Sequence, residues 1–475
     1  MTKEATITPR HSLSAGAILV TAASVVFVVS GYVVNVWLGR LLGPADYGRF
    51  GIVIGVITIL NVIQNTSVPQ AVARTVAHAP QAAGSALRRG AELQVSISIL
   101  MAGGVVLAAP LIGHVLGDAA LTDVVRLAGI SLAPYGVFAL FLAFHNGTRN
   151  YVRQAVSSIA YAVTKAVAAV GLAHAFHLAG AVAGYALAAL IGCVASWPAI
   201  RAAGVAVPYR QLVGLAVPIA AYAIASVALM SVDIFFVKAG VDDPRAAGYY
   251  AAGQSISRIP FYLMSGLAAV ILPGVAAAMH RGQDAATRTA SEAIRWSVVV
   301  VVPVIAVMAP TSDALIELLF SSEYRPGGTA LAVLVPAIGA LAISSILAGL
   351  LAGLGRAWPA AVMALTGVVV TLGACGVLVP LAGVEGAAMG TLAGSIVTLL
   401  GMATFLLRLM PGVAPLATIF RVTLVAVAVW LIAGLVDPAG LGLVALYAAL
   451  GGGTVAVLVM TGDLPVPALR SLRMR

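Results

Sequence analysis

Charge is what this sequence has least of. Only 9% of its 475 residues are Asp, Glu, Lys or Arg, whereas a soluble domain carries roughly 25%. No soluble fold of this length keeps its surface wet with so few, so the length counts membrane spans rather than soluble domains. Cysteine is nearly absent too. Cys193 and Cys375 both fall inside apolar runs, where they read as small packing residues and not as a disulfide or a metal pair. Histidine is sparse and scattered. His174 and His177 have no acidic partner at metal spacing, so no metal and no cofactor are expected. Nucleophile triads, phosphate loops and paired catalytic carboxylates are all missing, and no enzyme activity is expected. No loop is long enough to hold a soluble domain, which disfavours a membrane glycosyltransferase or polymerase with a large external catalytic loop. No basic run is interleaved with aromatic residues, so the net charge of +10 does not point to nucleic acid.

What is present is apolar sequence: 61% of the residues, with a mean hydropathy of +1.07. A helix needs about 20 apolar residues to cross a core of roughly 30 Å. Such stretches fall at 12–38, 48–68, 91–113, 124–146, 155–175, 180–200, 212–238, 247–273, 292–316, 328–350, 359–380, 386–407, 417–436 and 441–461. The runs are continuous rather than alternating, which favours helices over a barrel. The expected fold is an all-α polytopic membrane protein of about 14 transmembrane helices. Basic residues such as Lys3, Arg10, Arg74, Arg88, Arg149 and Arg470 gather on one side, and acids such as Asp46, Asp118 and Asp243 on the other. Both termini are therefore expected in the cytoplasm.

The two halves share weak, ordered self-similarity. At an offset of 200, Gly48 matches Gly248, Arg88 matches Arg288, Glu92 matches Glu292 and Ala109-Pro110 matches Ala309-Pro310. After an insertion near Ser321 to Pro326 the offset becomes 206. Gly147 then matches Gly353, and Gly180-Ala-Val-Ala-Gly184 matches Gly386-Ala-Ala-Met-Gly390. Six spans per copy imply two lobes in the same orientation, related by a pseudo-two-fold axis along the membrane normal. The expected domains are an N-lobe at 1–205, a C-lobe at 206–412, and a C-terminal pair of spans with a basic tail at 413–475.

A few polar residues break the apolar pattern. Lys165 and Arg258 lie near the middle of spans five and eight, where a cation costs about 2.5–3.5 kcal/mol by insertion scales. Tyr161 shares a helical face with Lys165, and Gln254, Tyr262 and Ser265 share one with Arg258. Asn35 in span one and Asn61 and Gln64 in span two extend the polar stripes. Turned toward a common aqueous cavity, these residues form a candidate binding site. One uncompensated cation per lobe suits an anionic substrate such as a phosphate or pyrophosphate. A bland reading stands beside it, in which the cations pair with backbone carbonyls or Asp233 and fix packing. Asp233 could couple an ion, H+ or Na+, although a salt-bridge cluster with Lys238, Asp242 and Asp243 at the outer end of span seven is the favoured reading.

Leu38-Gly-Arg-Leu-Leu-Gly-Pro-Ala-Asp-Tyr-Gly48 resembles a signature of polysaccharide-export (O-antigen/oligosaccharide) flippases, of the multidrug/oligosaccharidyl-lipid/polysaccharide exporter superfamily. Ala71-Val-Ala-Arg74, Asp233 followed by Ala247-Gly-Tyr-Tyr250, Leu318-Leu-Phe-Ser-Ser-Glu-Tyr324 and the turn at Gly353 to Arg356 follow in order, so the likeness covers about 12–408. The resemblance implies two six-helix lobes around a cationic central cavity. It also implies movement of an undecaprenyl-pyrophosphate-linked oligosaccharide from the inner to the outer leaflet of the plasma membrane by alternating access, with membrane lipid and a lipid-linked glycan as partners and a monomer as the working unit. The roles of Lys165 and Arg258 come from their placement and not from the family's motifs. Two readings of the same superfamily stay open: a cation-coupled small-molecule exporter, which would want a midplane carboxylate, and a lipid II flippase. Fourteen spans favour the second, whereas the absence of charge between His11 and Arg40 disfavours it.

Overall fold

The structure is a computed structural model that describes residues 13–198, 207, 217–264, 278, 282–436 and 440–463. Every regular element among the described residues is helical. In chain order these are α1 (Leu13–Thr66), α2 (Val68–His78), α3 (Ala83–Val115), α4 (Ala120–Gly147), α5 (Tyr151–Ser196), α6 (Val217–Leu229), α7 (Asp233–Gly240), α8 (Ala246–Ser257), α9 (Gln283–Met308), α10 (Ser312–Leu319), α11 (Gly328–Gly353), α12 (Ala357–Leu409), α13 (Leu416–Leu435) and α14 (Leu441–Met460). Two 3-10 turns, Pro80–Ala82 and Ser322–Gly327, lie between them.

Among the described residues, ten helical stretches are long and apolar enough to cross a membrane. Three of the ten double back on themselves. In α1 the helix breaks at Gly43 (φ 72°, ψ 169°) before Pro44, and Tyr47 Oη reaches Asn35 Oδ1 at 3.1 Å. Twelve residues of straight helix would hold those two about 18 Å apart. α5 folds back at Phe176–His177, and α12 at Gly383. Counting both arms of these three gives thirteen described spans. The expected eighth span is present as α8 and the residues up to 264. The start of the seventh span and the end of the eighth, with Ser265, lie outside the described residues.

The fold-back turns show the internal repeat at backbone level. His177 has φ 47° and ψ −131°, and Gly383, 206 positions later, has φ 55° and ψ −126°. A Cβ added at Gly180 would meet the Leu172 carbonyl oxygen, and one added at Gly386 would meet that of Leu378. One at Gly184 would strike the backbone of Ala169, and one at Gly390 that of Cys375. Each of these pairs keeps the offset of 206. The glycines are there because two helix arms pack backbone against backbone, the small-residue packing that membrane helices use. The register shifts by six residues within the segment that holds α10 and the turn Ser322–Gly327.

The chain divides into two compact units, Met1–Ile224 and Ala225–Arg475. In the first, α3 packs on α4, and α5 on both α1 and α4. Val68, Val72, Leu87, Leu140 and Val207 close one end of it as an apolar cluster. In the second, α11 packs on α12, α7 on α12, and α9 on α11. The C-terminal pair α13–α14 packs on α9 through Ala306, Val307, Ala426 and Val429, with Thr311 Oγ1 2.9 Å from Tyr447 Oη. Beyond α14, Asp463 is a clip for this pair. Its carboxylate accepts from Thr418 (2.8 Å), Arg421 (2.9 Å) and Thr461 (2.9 Å), and Arg295 of α9 donates to its carbonyl at 3.1 Å.

Candidate functional site

In the first unit the sequence-expected cation, Lys165, is 5% exposed on α5. Its ammonium sits 4.6 Å from the ring centroid of Phe27 and 5.9 Å from those of Tyr161 and Tyr185. Gly31 lies beside it, where a Cβ would stand in ordinary contact at 3.7 Å from Nζ. The rings are fixed in turn. Tyr161 stacks on Phe138 (4.9 Å, 12°) and on Phe27 (5.9 Å, 17°) and meets Tyr135 edge-on. No carboxylate among the described residues pairs with Lys165. Aromatic faces attract a cation by about 0.5–1 kcal/mol when exposed and about 2 when desolvated. They hold the charge and do not neutralise it.

Of the other expected residues of this unit, Asn35 has structural partners. Asn35 donates to the Gly31 carbonyl at 2.8 Å and accepts from Tyr47, which ties the two arms of α1. Asn61 is half-buried, with its Oδ1 enclosed and unpartnered. Gln64, expected on a cavity wall, is fully buried among α1, α3 and α4.

In the second unit the expected residues converge on Asp233, which is 0% exposed. Its carboxylate accepts from Tyr250 Oη at 2.5 Å, Gln254 Nε2 at 2.7 Å, Thr391 Oγ1 at 2.7 Å and the Ile234 amide at 3.0 Å. The expected outer salt-bridge cluster therefore does not include Asp233; the carboxylate turns inward because α8 and α12 supply neutral donors there. Asp243 instead accepts from the Arg245 amide at 2.9 Å. Arg258 donates to the Met230 carbonyl at 2.7 Å, to Ser231 Oγ at 3.3 Å and to Gln254 Oε1 at 3.3 Å. Gln254 thus bridges the guanidinium and the carboxylate. Arg258 is not the uncompensated cation that the sequence suggests: a carboxylate stands beyond Gln254, and the Met230 carbonyl caps the guanidinium. Its buried Nε has no partner. Tyr262 is 38% exposed beside Phe261.

Several participants escaped sequence reasoning. Phe27 and Tyr185 are silent in an apolar run. Thr391 lies 158 positions from Asp233, and only its place beside the repeat's Gly390 could have flagged it. Tyr250 sat in view, inside the quoted Ala247-Gly-Tyr-Tyr250 segment. No cluster of three His, Cys, Asp or Glu able to hold a metal occurs among the described residues.

The model of a family described as "Polysaccharide biosynthesis protein" matches residues 37–327. No curated protein matches the sequence significantly. Solved structures match the fold across most of the chain. A lipid II flippase, MurJ, in an inward closed conformation aligns with TM-score 0.73 and 12% identity, over 93% of this chain and all of that one. An inward-facing multidrug resistance transporter of the MATE family, in the MOP superfamily, aligns with TM-score 0.69 and 13% identity, over 82% and 98%. A MOP superfamily transporter from Pyrococcus furiosus, whose binding pocket is described as of reverse polarity, aligns with TM-score 0.62 and 14% identity, over 82% and 94%. At these identities the likeness is one of fold, and it covers nearly the whole of each transporter.

Proposed function

We propose that this chain, which belongs to the polysaccharide biosynthesis protein family, is a flippase for an undecaprenyl-pyrophosphate-linked oligosaccharide. It carries the substrate from the inner to the outer leaflet of the plasma membrane by alternating access. It works as a monomer with both termini in the cytoplasm, and it makes and breaks no covalent bonds. Lys165 is the observation that carries this reading. A buried ammonium that only ring faces hold is costly in a membrane and gains most when an anion arrives. Arg258, with an unpartnered Nε, is the second phosphate-binding group, and a guanidinium suits a phosphate's fork geometry. Within the first unit Tyr161 and the amides of Asn35 and Asn61 supply polar lining, and within the second Tyr262 and Gln254 do.

Asp233 supports a coupling role, with H+ or Na+ as the coupling ion. A fully buried carboxylate bridged to Arg258 through Gln254 links ion occupancy to the substrate-binding cation. The same carboxylate is what a cation-coupled small-molecule exporter would need, and the likeness to a lipid II flippase over 93% of the chain keeps that lipid as an alternative cargo.

Leaflet-specific accumulation of lipid-linked glycans in cells lacking the protein tests the proposal. The undecaprenyl-linked glycan should build up in the inner leaflet and clear on re-expression. Lys165→Ala and Arg258→Ala should fail to clear it. Full rescue by both variants removes the cationic mechanism, and accumulation of lipid II alone replaces the substrate.

A further inference from the structure

We propose that the first unit carries a binding site for a sodium-sized monovalent cation, formed by Gln64, Gln94 and Ser98 above Gly136. The inference does not depend on the identity of the transported lipid. All three side chains are 0% exposed. Gln64 Oε1, Gln94 Oε1 and Ser98 Oγ are buried and have no hydrogen-bond partner among the described residues. An orphaned polar group costs about 1–3 kcal/mol when buried, and three in one place call for a ligand.

They are in one place. A Cβ added at Gly136 of α4 would lie 2.6 Å from Gln64 Oε1 and 2.9 Å from Gln94 Nε2, and closer still to Ser98 Oγ. The absent side chain of Gly136 is what leaves the space. Gln94 Nε2, beside this space, also makes a long 3.4 Å contact to the Gln64 carbonyl, and Gln64 Nε2 faces Met101 Sδ at 4.0 Å. Gln64 Oε1 and Ser98 Oγ thus face the space as unused ligands, and half a turn of the Gln94 amide exchanges its Nε2 there for its unpartnered Oε1.

The backbone gives the site its sign. Gln64 lies in the last turn of α1, which ends at Thr66. Ser67 leaves the helix (φ −88°, ψ −108°) before α2 begins, and Pro69 has no N–H to offer the Asn65 carbonyl. A helix C-terminus carries about half a negative charge. Broken membrane helices use such ends, with their freed carbonyls, to coordinate Na+. Two amide oxygens and a hydroxyl have no formal charge. They can offset the desolvation of one positive charge with the helix end's help, but not of two. A monovalent ion therefore suits this neutral set better than a divalent one.

The test uses purified full-length protein in detergent, with choline chloride holding ionic strength constant. Sodium should raise the unfolding temperature saturably, with Li+ and K+ weaker, and radiolabelled Na+ should bind in competition. Ser98→Ala should weaken the response about tenfold, and Gly136→Ala, whose methyl fills the space, should abolish it. Asp233→Asn serves as a control for the carboxylate of the second unit and should leave this Na+ response in place, so failure here is separable from failure of the coupling role given to Asp233. The cation series on the unaltered protein stands even if a variant does not fold. No saturable response to any alkali ion overturns the proposal. So does a response lost in Asp233→Asn but kept in Ser98→Ala, or a density map showing only a water donating to both amide oxygens.

Discussion

Replacing Lys165 by Met separates a functional cation from a structural one. A lysine ammonium at the centre of a membrane helix costs about 2.5–3.5 kcal/mol. The Phe27 ring at 4.6 Å returns up to about 2 kcal/mol in a desolvated setting. Tyr161 and Tyr185, both at 5.9 Å, sit at the edge of the effective range and add roughly 0.5 kcal/mol each. The two sides nearly cancel. Methionine fills a similar volume and gains about 0.3–1.5 kcal/mol against aromatic rings, so Lys165→Met should leave stability unchanged or raise it by about 1 kcal/mol. Thermal unfolding of the purified variant should then shift by no more than about 2–4 °C, upward if at all. Transport and binding of the pyrophosphate headgroup should both be lost. A variant that unfolds well below the wild type while still clearing lipid-linked glycan would refute the reasoning, because Lys165 would then be holding the fold together.

Asp233→Ala should behave in the opposite way and cost about 3–5 kcal/mol, since it strands Tyr250, Gln254 and Thr391 without an acceptor and leaves Arg258 without a nearby negative charge; chemical denaturation compared with Asp233→Asn reads this. His177 holds backbone angles that only glycine adopts easily, as Gly383 does in the second copy. His177→Gly should therefore raise stability by about 1 kcal/mol, and Gly383→His should lower it by about 1–3 kcal/mol, measured by the same unfolding curves. Burial raises the carboxyl of Asp463, but the hydrogen bonds from Thr418, Thr461 and Arg421 and the Arg421 charge outweigh it and hold the group below its ordinary value. A depressed carboxyl stabilises the fold above its unfolded pKa of about 3.9, and that stability is lost as pH falls through the lower folded value. The unfolding temperature should thus be level between about pH 5 and 7 and drop below about pH 4, with Asp463→Asn lower at neutral pH and less sensitive to acid.

The spans were legible because a run of 20 apolar residues has few other uses, and the turn at Gly43-Pro44 because those residues punctuate helices. The turn at His177 was hidden. Histidine carries no turn signal, and only alignment with Gly383 reveals what its backbone does. Lys165 and Arg258 stood out as charges in an apolar background, yet their surroundings did not. Phe27 and Tyr185 look like any lipid-facing aromatic until α1 and α5 are packed together. The burial of Asp233 is hidden in the sequence for a related reason. Span boundaries are uncertain by a few residues, enough to move a carboxylate from a surface cluster to a buried one, and Thr391 reaches it only because α12 packs on α7. Gln94 and Ser98 gave no sign of their role, since three unpartnered oxygens become a site only when Gly136 brings α4 against them.

Leaflet exchange in proteoliposomes tests the central claim most directly. Purified protein is reconstituted with a fluorescent undecaprenyl-pyrophosphate-linked oligosaccharide, and the fraction open to a membrane-impermeant quencher is followed over time. Wild-type protein should expose the inner pool within minutes, and Lys165→Met should leave it protected for hours. Equal protection with the wild type and with empty liposomes, under every ion gradient applied, would contradict a flippase.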